Sequence, residues 1–171
     1  MSAARVYAGG WVRVLLGLSL AVPMLAGCGF HLEGDHPLPP SLAVVRIDAV
    51  DTQSDFYFAL RRALMAAGTR IDGNGQDKSV PVIHVLDDAT RNTILSVSTL
   101  NIPTEYELIY RVRFSVDAMG RALIDPEERT LVRDYSYSES QQLAKDREQR
   151  ILGAALAQEL AGVVMRRLSS L

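Results

Sequence analysis

Glu105-Tyr-Glu-Leu-Ile-Tyr-Arg-Val-Arg-Phe-Ser-Val-Asp117 is the stretch whose reading decides the fold. Tyr106, Leu108, Tyr110, Val112, Phe114 and Val116 alternate with Glu105, Glu107, Ile109, Arg111, Arg113 and Ser115. Successive side chains of a strand point to opposite faces. The pattern therefore predicts an antiparallel-type strand with one face on a core and the other toward water or a partner. A sheet with one apolar face needs a second layer to cover it.

The neighbouring sequence supplies that layer. Residues 42–50 read as a first strand, with Val45 and Ile47 alternating against Val44 and Arg46. Ser54 is placed to cap a helix running to Ala67, and Asp55 suits the positive end of its dipole. Phe56, Leu60, Ala63, Leu64 and Ala67 share one face of that helix, Arg61 and Arg62 lie off it, and Gly68 is a good stop. Gly73-Asn74-Gly75 turns the chain into a second strand at 80–86, whose Pro81 confines its start to an edge or a terminus. After the long strand, Met119-Gly120 makes a turn and Asp125-Pro126 a loop, and 129–138 reads as a fourth strand. One long helix follows over 140–168, buried through Leu152, Leu156, Leu160, Val163 and Val164. The order β-α-β-β-β-α predicts an α/β (α+β) two-layer sandwich, with two helices packed on a four-stranded mixed sheet in a single domain over residues 42–171.

The N-terminus reads differently. Residues 1–27 carry Arg5 and Arg13, no acidic residue, and the apolar run Val14-Leu-Leu-Gly-Leu-Ser-Leu-Ala-Val-Pro-Met24, closed by small residues. This is the pattern of a secretory signal peptide, and the run is short of the roughly 18–20 unbroken apolar residues that a spanning helix needs. It ends in Leu25-Ala26-Gly27-Cys28, which resembles the bacterial lipoprotein processing box. Cys28, the only cysteine, becomes the candidate acylation site, since an unpaired thiol in an exported chain asks for an explanation. Several acyl chains on one residue anchor firmly where a single chain is marginal. Gly29, rather than Asp, follows the cysteine and favours the outer membrane. Residues 28–41 then form the lipidated start and a proline-rich tether. Removal of 27 of the 171 residues leaves 144, and loss of the two leader arginines leaves 16 basic against 20 acidic residues. A nucleic-acid binder normally shows a basic footprint, so that class is disfavoured.

Signs of catalysis are sparse. His31 and His36, with Glu33 and Asp35 between them, match no standard zinc spacing, and a metal-dependent hydrolase rests on them alone. Gly73-x-Gly75 lacks the third glycine of a dinucleotide loop. His84 reads as a satisfied, half-buried histidine, and Asp87-Asp88 as a solvated strand end. Neither Gly-x-Ser-x-Gly nor His-Glu-x-x-His occurs, so no enzyme, cofactor or metal is expected beyond the lipid on Cys28. The basic residues carry more. Lys145, Arg147 and Arg150 crowd the first turns of the last helix, with Asp146 and Glu148 interleaved. Spacing alone favours a solvated, salt-bridged face over a phosphate site. Arg111 and Arg113 stand on the outward face of the long strand, as ordinary surface or part of a polar interface.

Several landmarks together resemble the lipopolysaccharide-assembly lipoprotein family LptE. They are Cys28-Gly29-Phe30-His31-Leu32, Leu38-Pro39, Arg62-x-Leu64 with Gly68, Thr104-Glu105-Tyr106, and Leu143-Ala144-Lys145-Asp146-Arg147-Glu148-Gln149. The resemblance implies a non-catalytic outer-membrane lipoprotein that plugs the LptD barrel, helps it assemble, binds lipopolysaccharide and supports its delivery to the cell surface. It places Cys28 at the acylated position. It also makes Lys145 the leading contact for lipopolysaccharide phosphates, ahead of Arg147 and Arg150. The loop before the long strand departs from the family, because 93–103 holds no Lys or Arg and Thr99 stands where a cation is expected. Arg91 is the nearest replacement and joins the candidates. The competing expectation is a free-standing periplasmic lipoprotein that carries a lipid or regulates a cell-envelope enzyme.

Overall fold

The computed structural model describes residues 37–73, 75, 77–136 and 142–171, with the side chains of 142–145 excepted. The leader, Cys28, His31, His36, Asn74 and the stretch 137–141, including the expected ends of the fourth strand and start of the last helix, lie outside the described residues.

Leu38 packs against the core, and Pro40–Leu42 form a 3-10 turn that buries Leu42 completely. Leu42 N–H donates to Pro39 O at 2.8 Å, which closes the turn, so β1 begins at Val44 rather than at residue 42 and runs Val44–Ala49. Helix α1, Asp55–Ala66, starts where Ser54 Oγ accepts the Tyr57 N–H at 3.0 Å. It buries Phe56, Ala59, Leu60 and Leu64 and stops before Gly68, whose φ of +84° is easy only for glycine; Ala67 at its end is exposed. A short β2, Arg70–Ile71, then pairs parallel with β1.

Three long strands follow: β3 Val82–Val97, β4 Pro103–Ala118 and β5 Arg121–Ser136. The sheet order is β2-β1-β3-β4-β5, so the sheet has five strands rather than four, parallel on the β1 side and antiparallel from β3 to β5. The α+β class and the two-helix layer hold. Two expected boundaries move. β3 continues past residue 86 through a register shift between Val85 and Asp87, because its second half, which lacks apolar alternation of its own, pairs with β4 along its length. Strand state there follows from pairing, not from local preference. Asp125-Pro126 is no loop. Phe114 faces Glu127 and Val116 faces Ile124, so β5 carries an extra residue there, and the edge position and bulge accommodate a proline that lacks an N–H.

Residues directly opposite one another share a sheet face. Val45, Ile83, Val85, Val112, Phe114, Val116 and Ile124 accordingly form one buried face. They share a core with α1 and with α2, Gln142–Ser169, through its Leu156, Ala157, Leu160, Val164 and Leu168. Arg133 to Glu159 at 2.7 Å and Arg167 to Glu127 at 3.0 Å tie α2 to β5. No described element covers the second face, which carries Arg46, Asp48, His84, Asp87, Arg111 and Arg113.

Truncation should separate the two faces. Phe114→Ala is expected to cost about 3–5 kcal/mol, whereas Val132→Ala on the open face should stay within about 0.5 kcal/mol. Urea unfolding of both variants checks this.

Candidate functional site

A cleft of about 280 Å³ opens where the start of α1, the middle of β3 and β4, and the N-terminal half of α2 meet. Its polar lining includes Asp51, Ser54, Asp55, Asp88, Tyr110 and Arg150. Ser54 sits at the corner: its oxygen caps α1, and its hydroxyl hydrogen bonds with Asp88. Tyr110, only 4 % exposed, also hydrogen bonds with Asp88, and its oxygen accepts the backbone N–H of Phe56 in the first turn of α1. The start of α1 is thus fastened to the sheet through one carboxylate and one phenol. The second carboxylate oxygen, Asp88 Oδ2, is buried and has no hydrogen-bond partner among the described residues.

The electrostatics follow from this arrangement. Burial holds the Asp88 carboxyl above its ordinary value. The hydrogen bonds from Ser54 and Tyr110 oppose the rise, and the charges of Asp51 and Asp55 add to it. Burial likewise raises the Tyr110 phenol, helped by its bond to Asp88, so it remains a donor. Three carboxylates face one guanidinium, which makes the interior of the cleft unfavourable for phosphate.

The basic candidates do not converge on one spot. Arg147 and Arg150 are exposed on α2, while Lys145 lies in the first turns of α2 and its side chain falls outside the described residues. Arg91 is opposite Ile109, one step out of phase with the buried Leu108 and Tyr110, so it belongs to the open face of the sheet. Arg111 is also on that face, paired with Asp87 at 2.8 Å and with Glu128 at 3.9 Å. His84 is 31 % exposed between Asp48 Oδ2 at 3.2 Å and Asp117 Oδ1 at 2.5 Å, the half-buried and satisfied histidine expected. Among the described residues, no cluster of three or more such side chains could hold a metal, and no helix is long and apolar enough to cross a membrane.

Asp87-Asp88 corrects the sequence reading. It is not a solvated strand end: it lies within β3, and the two carboxyls point to opposite faces, one to Arg111 and one to the cleft. The cleft network has no local pattern in the sequence, because Ser54, Asp88 and Tyr110 come from three separate elements. The cap at Ser54 was its only local signal.

Comparisons with known proteins agree with this architecture. The family model LptE, described as Lipopolysaccharide-assembly, matches residues 42–168. A protein of Pectobacterium atrosepticum named LPS-assembly lipoprotein LptE is 28% identical over 153 residues, covering 90% of this chain and 83% of that one. One of the same name from Photorhabdus laumondii is 29% identical over 157 residues, covering 91% and 85%. Among solved structures, rare lipoprotein B from Shewanella oneidensis aligns with a TM-score of 0.66 at 25% identity, covering 74% of this chain and 94% of that one. Lipoprotein B from Nitrosomonas europaea aligns with a TM-score of 0.67 at 23% identity, covering 83% and 91%, and so shares the fold.

The raised Asp88 carboxyl fixes the sign of a pH effect. The folded chain holds this proton to higher pH than the unfolded chain, so stability falls as the pH rises from the ordinary carboxylate value through that of Asp88. Asp88→Asn keeps an acceptor for Ser54 and Tyr110 and removes the loss. Its unfolding free energy is expected to exceed that of the wild type at about pH 7, with the gap closing toward about pH 4. Urea titrations at both values check it.

Proposed function

Because the chain belongs to the LptE lipopolysaccharide-assembly family, we propose that it is an outer-membrane lipoprotein that plugs and helps assemble an LptD-type β-barrel and binds lipopolysaccharide. The observation that carries this reading is the family match, which runs through nearly all of the described domain. Cys28 is the acylated residue, exposed by removal of residues 1–27, and the stretch from Cys28 to residue 41 leads into the domain of residues 42–171. The role is non-catalytic and needs no cofactor beyond the lipid.

The two faces of the sheet support the plug reading. Helices cover one face, and the other is uncovered and charged, with Arg111, Asp87 and Glu128 in a cross-strand ion-pair group. A wide barrel has a polar interior, which suits such a face and also shelters the long β5 edge. The cleft between the helices is lined by carboxylates, which suits the acyl chains of a free-standing lipid carrier poorly. Lipopolysaccharide phosphates meet Lys145, Arg147 and Arg150 along α2, with Arg91 available on the opposite face.

Two measurements test the reading. Depleting the protein should lower the amount of correctly assembled barrel, and the two should copurify from outer membranes; unchanged barrel levels without copurification would overturn it. Lys145→Asp should weaken lipopolysaccharide binding by roughly tenfold or more, as expected for reversing one charge-assisted contact, while the melting temperature stays put. Equal affinities would return Lys145 to the solvated surface.

A further inference from the structure

The last turns of α1, the start of β2, the β4–β5 turn and the entry of the chain into the sheet meet at one end of the domain. The register shows this. Val44 is opposite Arg70, and two residues further into the sheet Arg46 is opposite Val82, itself opposite Asp117. Met119 is two residues beyond Asp117 in the outward direction, so Arg70, Val44 and Met119 stand at about one level. Helix α1 runs into the same end: Thr69 N–H donates to Leu64 O at 3.0 Å, and Arg70 N–H donates to Ala43 O at 2.9 Å. The described chain arrives there too, from Pro37 through the Pro40–Leu42 turn.

This end is basic and carries exposed methionines. Met65 is 54 % exposed in the last turn of α1, and Met119 is 79 % exposed at the β4–β5 turn. Arg61, Arg62, Arg70 and Arg121 are exposed around them. None of these arginines is ion-paired among the described residues. The neighbouring carboxylates are engaged elsewhere: Asp72 with Arg46, Asp117 with His84, and Glu127 with Arg129 and Arg167. Asp77 accepts from Ser79 and is followed by exposed Lys78. The free charge of this end is therefore positive.

Chain length and charge select the occupant. Nine residues separate Cys28 from Pro37, a reach of about 30 Å when fully extended. Acylation at Cys28 keeps this end of the domain within that distance of the leaflet that holds the acyl chains. A bilayer surface with anionic headgroups attracts clustered cations, and the flexible methionine side chain adapts to an irregular apolar surface. A basic patch beside a lipid chain is a second membrane signal added to the first. We propose that this end of the domain, through Arg61, Arg62, Arg70 and Arg121 with Met65 and Met119, docks on the anionic phospholipid headgroups of the leaflet that anchors Cys28. This rests on the acylation reading above.

Trp11 is the only tryptophan of the chain, so one placed at this end is a unique reporter once Trp11 is replaced. The full chain carrying Trp11→Phe and Met65→Trp, processed in the envelope, is reconstituted into brominated phosphatidylcholine vesicles with or without phosphatidylglycerol. Its emission should be quenched where phosphatidylglycerol is present, and the quenching should fade without it and at high salt. A Val132→Trp reporter on the open face of the sheet should stay unquenched. Adding Arg62→Gln/Arg70→Gln/Arg121→Gln should lower the ratio of docked to free chain about tenfold or more at an unchanged melting temperature. Equal quenching with and without phosphatidylglycerol would overturn the proposal, as would quenching that disappears in the copurified barrel complex, which would assign this end to protein. Flotation with the vesicles but no quenching at Met65→Trp removes this inference alone. Failure to float removes the acylation reading with it.

Discussion

One-sided burial of β4 is the constraint on which the structure depends. Tyr106 through Val116 place every second side chain on the core, and each is at most 9 % exposed. A slip of one residue would bring Glu105, Glu107, Arg111 and Arg113 into that core, so the register is fixed wherever the face is covered. β4 then imposes structure on its neighbours. The second half of β3 and the proline-bearing β5 are strands because both pair with β4 along most of its length. The long α2 lies over the same face, which it closes with Leu156, Leu160 and Leu168.

The same alternation sorts the chemistry. Asp87 and Asp88 are adjacent in sequence, yet one completes an ion pair on the open face and the other anchors the start of α1 across the core side. Arg91 is likewise separated from Arg147 and Arg150 by the thickness of the sheet. A single pleated layer thus carries a charged open surface on one side and a helix-lined cleft on the other.

How much of this was legible in the sequence follows from the range of the forces involved. β4, the Ser54 cap and the Gly68 stop are local patterns, and they appear as read. The stripe of α2 has a fixed period and was legible for the same reason. β2 is two residues long and carries no period. The second half of β3 has no apolar alternation of its own, and Pro126 in β5 mimics a loop, so both depended on pairing with β4. The Ser54, Asp88 and Tyr110 network joins three elements, and only its cap left a mark in the local sequence. His84 was legible as half-buried, but its two carboxylates on β1 and at the end of β4 were not.

The basic positions along α2 are not equivalent for meeting an anion. Arg150 borders a cleft that also contains Asp51, Asp55 and Asp88, so a phosphate drawn to it enters a field of like charge. Arg147 is nearer the start of the helix, where the positive end of the dipole adds to the attraction for anions. The carboxylates that line the cleft therefore make the first turns of α2 a better place for an anion than Arg150. Asp88 thus acts twice, fastening the start of α1 to the sheet and, with Asp51 and Asp55, setting the field of the cleft.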